Sequence, residues 1–177
     1  MKLRNYEFKA RAADLNSMEQ KLLRLNPLFK GEDHQIDTYF NVQSGRLKLR
    51  EGFIENALIY YERPDIPDSK QSAILLYKHE TDRSLKDILM KVMGIKVVVD
   101  KLRKIYFIGN VKFHFDTVMD LGTFVEVEAI DETGQIEPDE LERQCKYYFD
   151  YFGLTRSDYI KESYSDLILI KLNTGNK

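Results

Sequence analysis

At 177 residues, 43% hydrophobic and 32% charged, the chain suits a single domain spanning residues 1–177, with room for a substantial core. A net charge of −2 excludes a global polycation, so no nucleic-acid partner is expected and any polyanion must be held by a local cluster. The lone Cys145 excludes an internal disulfide framework and a cysteine-based zinc site, and His34, His79 and His114 lack zinc-ligand spacing.

The first strand is expected over about residues 2–12. Asp14 or Ser17 caps a short helix running to about Leu25, and Pro27 stops it. Thr38 to Val42 reads as a strand. Gln43-Ser44-Gly45 is a turn signal, and Arg46 to Phe53 is the return strand. Leu58 to Tyr61 follows and ends at Arg63-Pro64-Asp65. After a polar loop at 66–71, Ala73 to Tyr77 is another strand. Ser84-Leu85-Lys86-Asp87 resembles a capped helix start, with Gly94 as its stop. Ile95 to Ile108, Val111 to Val118 and Gly122 to Ile130 are strands, the first two joined by a tight Gly109-Asn110 turn. Pro138 opens a helix that ends near Gly153. Thr155 or Ser157 caps a last one, with Ile160, Tyr164, Leu167 and Ile168 at helical spacing. No apolar run approaches 18 residues, and Met1-Lys2-Leu3-Arg4 leads straight into a strand pattern. No membrane partner is expected, and a cytoplasmic location is.

Four stretches alternate charge with apolar residues. Glu7, Lys9 and Arg11 alternate with Tyr6, Phe8 and Ala10, and Arg46, Lys48 and Arg50 with Leu47 and Leu49. Lys112, His114 and Asp116 alternate with Val111, Phe113 and Phe115, and Glu126 and Glu128 with Val125 and Val127. Successive strand side chains point to opposite faces, so each stretch collects its charges on one face. Acids dominate some strands and bases another, the pattern of a site lined for a metal ion and a polyanion. About eight strands joined mostly by short turns are antiparallel neighbours and can close into a barrel. The expected class is therefore α+β: a closed eight-stranded antiparallel β-barrel, charges inside, helices packed on the outside.

Seven stretches, in order, carry a resemblance. They are Asn5-Tyr6-Glu7-Phe8-Lys9-Ala10, Asp37 to Val42, Gly45 to Glu51, Tyr60 to Asp65, Asp100 to Tyr106, Phe113 to Asp116 and Gly122 to Glu128. The chain resembles the CYTH superfamily, the triphosphate tunnel metalloenzymes, and within it the class IV adenylate cyclase-like (CyaB-type) proteins. The resemblance implies a metal-dependent enzyme acting on a nucleoside triphosphate or other triphosphate, a cyclase making cyclic AMP and pyrophosphate or a triphosphate hydrolase. A binding module for nucleotide or polyphosphate is the alternative. One departure stands out: the family signature Glu-x-Glu-x-Lys here begins with Asn5, so only Glu7 and Lys9 carry over.

Under that reading Glu7, Glu126 and Glu128 hold Mg²⁺ or Mn²⁺, because such ions favour one or two carboxylates plus phosphate oxygens. Arg46, Lys48, Arg50, Arg63, Lys101 and Arg103 bind the triphosphate, arginines as planar forks and lysines as point charges. Lys9, Asp116 and Arg103 form the catalytic set. Lys104, opposite in parity to Arg103, is expected to point away. His114 is read as a polar-face neighbour of Asp116, and Cys145 as a small core residue. The partner is a triphosphate-containing small molecule, and the chain is expected to be a monomer or homodimer.

Overall fold

The computed structural model describes residues 4–62, 73–78, 80 and 83–174. Eight strands and four helices alternate along it: β1 (Arg4–Arg11), α1 (Leu15–Leu23), β2 (Leu28–Phe40), β3 (Arg46–Glu51), β4 (Ala57–Glu62), β5 (Ala73–Lys78), α2 (Arg83–Met93), β6 (Ile95–Ile108), β7 (Val111–Val118), β8 (Gly122–Asp131), α3 (Pro138–Phe152) and α4 (Tyr164–Thr174). The strands form one antiparallel sheet in the order β1-β8-β7-β6-β2-β3-β4-β5. The sheet curls into a half-barrel. The expected closure is not seen among the described residues, where β1 and β5 are the two ends of the sheet and do not pair with each other.

The period-2 pattern becomes a division of faces. Register sets Glu7 opposite Glu128 and Lys9 opposite Glu126. It sets Arg103 between Asp33 and Asp116, and Asp37 opposite Arg50. All of these lie on the inner face. The outer face presents Phe8, Ala10, Phe113, Phe115, Val125 and Val127, buried against Leu22 of α1 and Leu141, Cys145, Tyr148 and Phe152 of α3. Each large apolar side chain removed from water there contributes about 1.5–3 kcal/mol. Phe113 meets Tyr148 edge-on at 4.6 Å, an arrangement favoured by the ring quadrupoles. Leu89 of α2 packs with Phe40 and Leu49 on the same outer side. Helix ends follow local chemistry. Asp14 accepts a hydrogen bond from the Ser17 amide at 2.9 Å, Pro138 opens α3, and Gly153 closes it at φ 73°.

Three expectations are corrected. First, β2 starts at Leu28, ten residues before the strand expected at Thr38. A bulge at Gly31, with φ 138°, breaks the alternation and hides the strand's first half. Second, α4 starts at Tyr164, not near residue 155. The chain before it pairs with β1 instead: the Ile160 amide donates to the Lys9 carbonyl at 2.9 Å, and Tyr159 bridges Ala10. Ser163 then caps the helix by accepting from the Asp166 amide at 3.2 Å. Third, not every helix lies outside. Segment 160–169 packs on the inner face against Tyr39, Val97, Val99, Val118 and Phe124, which fill one end of the curved sheet. Arg63 and the loop after it lie outside the described residues.

Candidate functional site

Three bases from two strands, β3 and β6, converge on one acid. Asp37 of β2, 2% exposed, accepts from Lys48 at 2.9 Å, from Arg50 Nε at 2.8 Å and Nη2 at 3.0 Å, and from Lys101 at 2.8 Å. Burial opposes ionisation of Asp37, yet Arg50, Lys101 and Lys48 hold its carboxyl well below the usual carboxylate range. Lys101 experiences the reverse balance. Burial pushes its ammonium down, Asp37 pulls it back, and Arg50, Arg103 and Lys48 push further, to about 7. One lysine of the cluster is therefore part-neutral near physiological pH.

Beside this cluster, Arg103 is 3% exposed and forks onto Asp116, with Nε at 2.7 Å and Nη2 at 2.5 Å. The same Nη2 reaches Glu126 at 2.7 Å. Lys9 stands 3.2 Å from the other Glu126 oxygen, donates to the Glu162 carbonyl at 3.3 Å, and lies 4.1 Å from the centre of the Tyr164 ring. Burial works to raise the Glu126 carboxyl, but Lys9 and Arg103 hold it well below its ordinary value. His114 Nδ1 lies 3.4 Å from Glu126. Burial, then Arg103 and Lys112, pushes this imidazole down to about 4, so it is neutral at pH 7.

The acidic half behaves differently. Glu7 and Glu128 are register partners on neighbouring strands. Burial and then Glu7 raise the Glu128 carboxyl above its usual value, the response of a buried acid facing a like charge. Asn5 is 6% exposed and donates to Glu128 at 2.6 Å, while its own Oδ1 is buried without a hydrogen-bond partner. Asparagine at the signature position thus orients Glu128 rather than pointing to a rim. A buried Glu128 facing Glu7, beside an unsatisfied amide oxygen, suits a divalent cation. Among the described residues no three acidic, cysteine or imidazole side chains form a finished metal cage.

The structure therefore brings Lys48, Arg50, Lys101, Arg103, Lys9, Asp116, Glu126, Glu7 and Glu128 onto one concave face. Arg46 lies at its α4 end, 2.8 Å from Asp166. Lys104 points outward to Glu19 at 2.8 Å, and Cys145 is in the core, 1% exposed, both as expected. Sequence reasoning missed four participants. Tyr164 donates to Asp116 at 2.7 Å from a helix expected outside. Asp33 and Gln35 lay in the unrecognised half of β2, and Glu55 in a loop with no periodic signal. Asp33, wholly buried, accepts from the amides of Phe53, Ile54 and Glu55 at 2.6, 3.0 and 3.1 Å and from Gln35 at 2.8 Å. A Cβ on Gly52 would sit 2.7 Å from that carboxylate, so the close approach requires glycine. The one signal available was Gly52 itself, three residues before Glu55.

The sequence model of the CYTH domain family matches residues 3–157. A Methanocaldococcus jannaschii protein named as a candidate adenylate cyclase is 26% identical over 174 residues, covering 91% of this chain and 96% of its own. A solved Pyrococcus horikoshii protein superposes with a TM-score of 0.80 at 23% identity, covering 94% of this chain and 99% of that one. A solved Hippeastrum protein, described as a candidate adenylyl cyclase with a dominant triphosphatase activity, has a TM-score of 0.64 at 13% identity and covers 93% of each. At these identities the structural likenesses carry the fold.

Proposed function

Because the chain belongs to the CYTH domain family, we propose that it is a metal-dependent enzyme acting on a triphosphate held across this concave face. The observation that carries the reading is the separation of charge within one face. Lys48, Arg50 and Lys101 gather at Asp37 with Arg103 alongside, and Glu7 and Glu128 stand apart on β1 and β8. A triphosphate could use both halves: bases for its oxygens, and acids that would hold a cation to offset its charge. Glu7 and Glu128 would hold Mg²⁺ or Mn²⁺, with Glu126, engaged by Lys9 and Arg103 in this structure, as the third expected carboxylate, since these ions need only one or two carboxylates. Such an ion would supply positive charge to the phosphoryl oxygens.

In this reading Lys48, Arg50, Lys101 and Arg46 bind the phosphates, and Arg63 joins them. Arg103 and Lys9 offset the charge that develops on the transferred group, and Asp116 holds the Arg103 fork in its plane. Tyr164 steadies Asp116 by donating to Oδ2, the oxygen that Arg103 Nη2 also reaches. Burial, then Asp116, keeps its hydroxyl protonated and donating. Two reactions use the same groups. In one, a ribose 3′-hydroxyl attacks the α-phosphorus of ATP and pyrophosphate leaves. In the other, water attacks the terminal phosphorus, the diphosphate part of the substrate leaves, and the terminal group is released as orthophosphate. The description of the Hippeastrum protein and the name of the M. jannaschii one support this pair of reactions.

Product analysis with ATP, thiamine triphosphate and inorganic triphosphate, with Mg²⁺ or Mn²⁺, tests the proposal. Metal-dependent release of cyclic AMP with pyrophosphate identifies a cyclase, and orthophosphate a triphosphatase. Tight binding without turnover makes the chain a binding module, and absence of binding overturns the reading. A Glu126→Gln, Glu128→Gln double variant is expected to lose Mn²⁺ affinity by more than about tenfold, since even outer partners of metal ligands cost that much. Unchanged Mn²⁺ titration by calorimetry would remove these residues from the metal site.

Lys101 yields a second check. At pH 8 a side chain with a pKa of about 7 is mostly neutral, and a bound polyanion favours its charged form. On binding tripolyphosphate, wild type is then expected to take up close to one proton more than Lys101→Met, the ligand's own protons cancelling in the difference, read from calorimetry in buffers of different ionisation heat. The difference vanishes near pH 5, where the ammonium is already formed. Equal uptake in wild type and Lys101→Met would assign the proton elsewhere.

A further inference from the structure

Glu55 occupies the ground between the basic and acidic halves. It sits in the β3–β4 connection, yet its carboxylate reaches across the concave face to β7. Lys112 Nζ donates to its Oε1 at 2.5 Å, while Arg50 Nη1 and Gln35 Nε2 donate to its Oε2 at 2.9 and 3.0 Å. Lys112 is at the same time the register partner of Glu128 on β8. The Glu55 carboxylate therefore has bases of the phosphate-binding cluster on one side and the neighbour of the acidic pair on the other. A phosphate group that touched both halves would have to take this position.

The loop is built to deliver that carboxylate. Asp33 accepts three consecutive amides at 53–55, and Asn56 closes the turn by accepting from the Gly52 amide at 3.1 Å and donating to the Gly52 carbonyl at 2.8 Å. The anchoring is to backbone and does not involve the Glu55 side chain. Glu55 itself is 25% exposed on its side chain, in contrast to 2% for Asp37, so solvent and ligand reach it. Burial opposes its charge, but Lys112 and Arg50 keep it ionised far below the ordinary carboxylate range. Free protein at neutral pH thus holds a fixed anion, hydrogen-bonded by a lysine, an arginine and an amide, where a ligand's anion would go.

We propose that Arg50, Lys112 and Gln35 form a phosphate subsite which Glu55 fills as a built-in competitor, so that only a polyanion also held at the Asp37 cluster displaces it. This rests on the triphosphate reading above. It assigns Lys112 and Gln35 to the ligand and makes Glu55 a filter against short anions. Orthophosphate meets a neutralised Lys112 and gains nothing by exchanging one anion for another. Tripolyphosphate, anchored by Lys48 and Lys101, makes the exchange intramolecular, at high effective concentration.

The test is calorimetric binding of tripolyphosphate and of orthophosphate, without metal, to wild type, Glu55→Gln, Lys112→Ala and the double variant. Glu55→Gln is expected to tighten tripolyphosphate by about tenfold and to bring orthophosphate binding into range, as a charge-assisted contact is freed. Lys112→Ala is expected to cost little in wild type and at least about tenfold in the Glu55→Gln background. That coupling separates a shared subsite from a general change of charge. Glu51→Gln, at a carboxylate that pairs with Lys86 of α2 on the outer side, should leave both affinities unchanged. The inference falls if wild type binds tripolyphosphate in a Lys101-dependent way while Glu55→Gln leaves affinity within twofold or weakens it. It falls equally if the Lys112 effect is the same in both backgrounds. If neither wild type nor Glu55→Gln binds tripolyphosphate, this inference and the triphosphate reading fall together. Thermal melting of each variant confirms that the Asp33-anchored loop has kept the fold.

Discussion

Replacing Arg103 with alanine is expected to be the most damaging single change on the concave face. The side chain is 3% exposed and makes three charge-assisted bonds, two to Asp116 and one to Glu126, all at 2.5–2.7 Å. Its loss leaves Asp116, which has no exposed surface, with Tyr164 in place of a cation. Breaking a buried pair from one side costs about 3–5 kcal/mol, because the other charge stays buried without compensation. For a domain of this size that lowers the melting midpoint by roughly 10 °C. Lys171, 56% exposed, donates to the Asp120 carbonyl at 2.6 Å, stands 3.7 Å from its carboxylate, and provides the exposed contrast. Its alanine variant should stay within about 0.5 kcal/mol of wild type. Triphosphate affinity in Arg103→Ala should drop by roughly a hundredfold or more, while Arg103→Lys, which keeps charge but not the planar fork, should fall between. Scanning calorimetry and ligand titration read the two effects separately. Equal behaviour of Arg103→Ala and Lys171→Ala would mean that neither the ion-pair network nor the proposed phosphate contact exists.

Asp37→Asn should come close behind, with an opposite signature toward ligand. An amide keeps the shape but leaves Lys48, Arg50 and Lys101 around a neutral group, again an expected loss of about 3–5 kcal/mol at neutral pH. The pH dependence has a definite sign. Asp37 is held well below its unfolded value of about 3.9, so its contribution is present above that pH and is lost as pH falls through the folded pKa. Asp37 also holds the Lys101 ammonium up, so the gap between wild type and Asp37→Asn should widen as pH falls from neutrality through mild acid and narrow only in stronger acid, where Asp37 itself takes up a proton. Saturating tripolyphosphate should raise the melting midpoint of Asp37→Asn by more than that of wild type, since the ligand supplies the missing counter-charge. A gap that fails to narrow in strong acid would contradict the ion-pair account, and equal ligand-induced shifts would contradict anion binding at this cluster.

The parity of Glu7, Lys9, Lys48, Arg50, Lys101, Arg103, Glu126 and Glu128 was legible in the sequence because it is local. A strand sends alternate residues to one face whatever its partners are. For the same reason Lys104 could be turned away from Arg103, and the ends of β6 and β7 could be placed at Ile108 and Val111, where Gly109 takes φ 57° in the turn. Local capping chemistry likewise marked Asp14, Pro138 and Gly153. Only the tertiary structure decided which strands adjoin. Asp37 becomes a hub because β2, interrupted at Gly31, lies between β3 and β6, so Arg50 flanks it on one side while Lys101 reaches it from the other. The place of α4 was equally hidden. The helical spacing of Ile160, Tyr164, Leu167 and Ile168 says that one face docks, but not on which side of the sheet. The curve of the sheet and the bridge from Ala10 to Tyr159 choose the inner face, which brings Tyr164 to Asp116. Glu55 is the extreme case: a loop acid with no periodicity becomes part of the site only because a buried Asp33, twenty-two residues earlier, ties down the amides around it. Side-chain direction is set by the adjacent backbone, whereas neighbours are set by contacts between distant segments, and no short stretch of sequence encodes those.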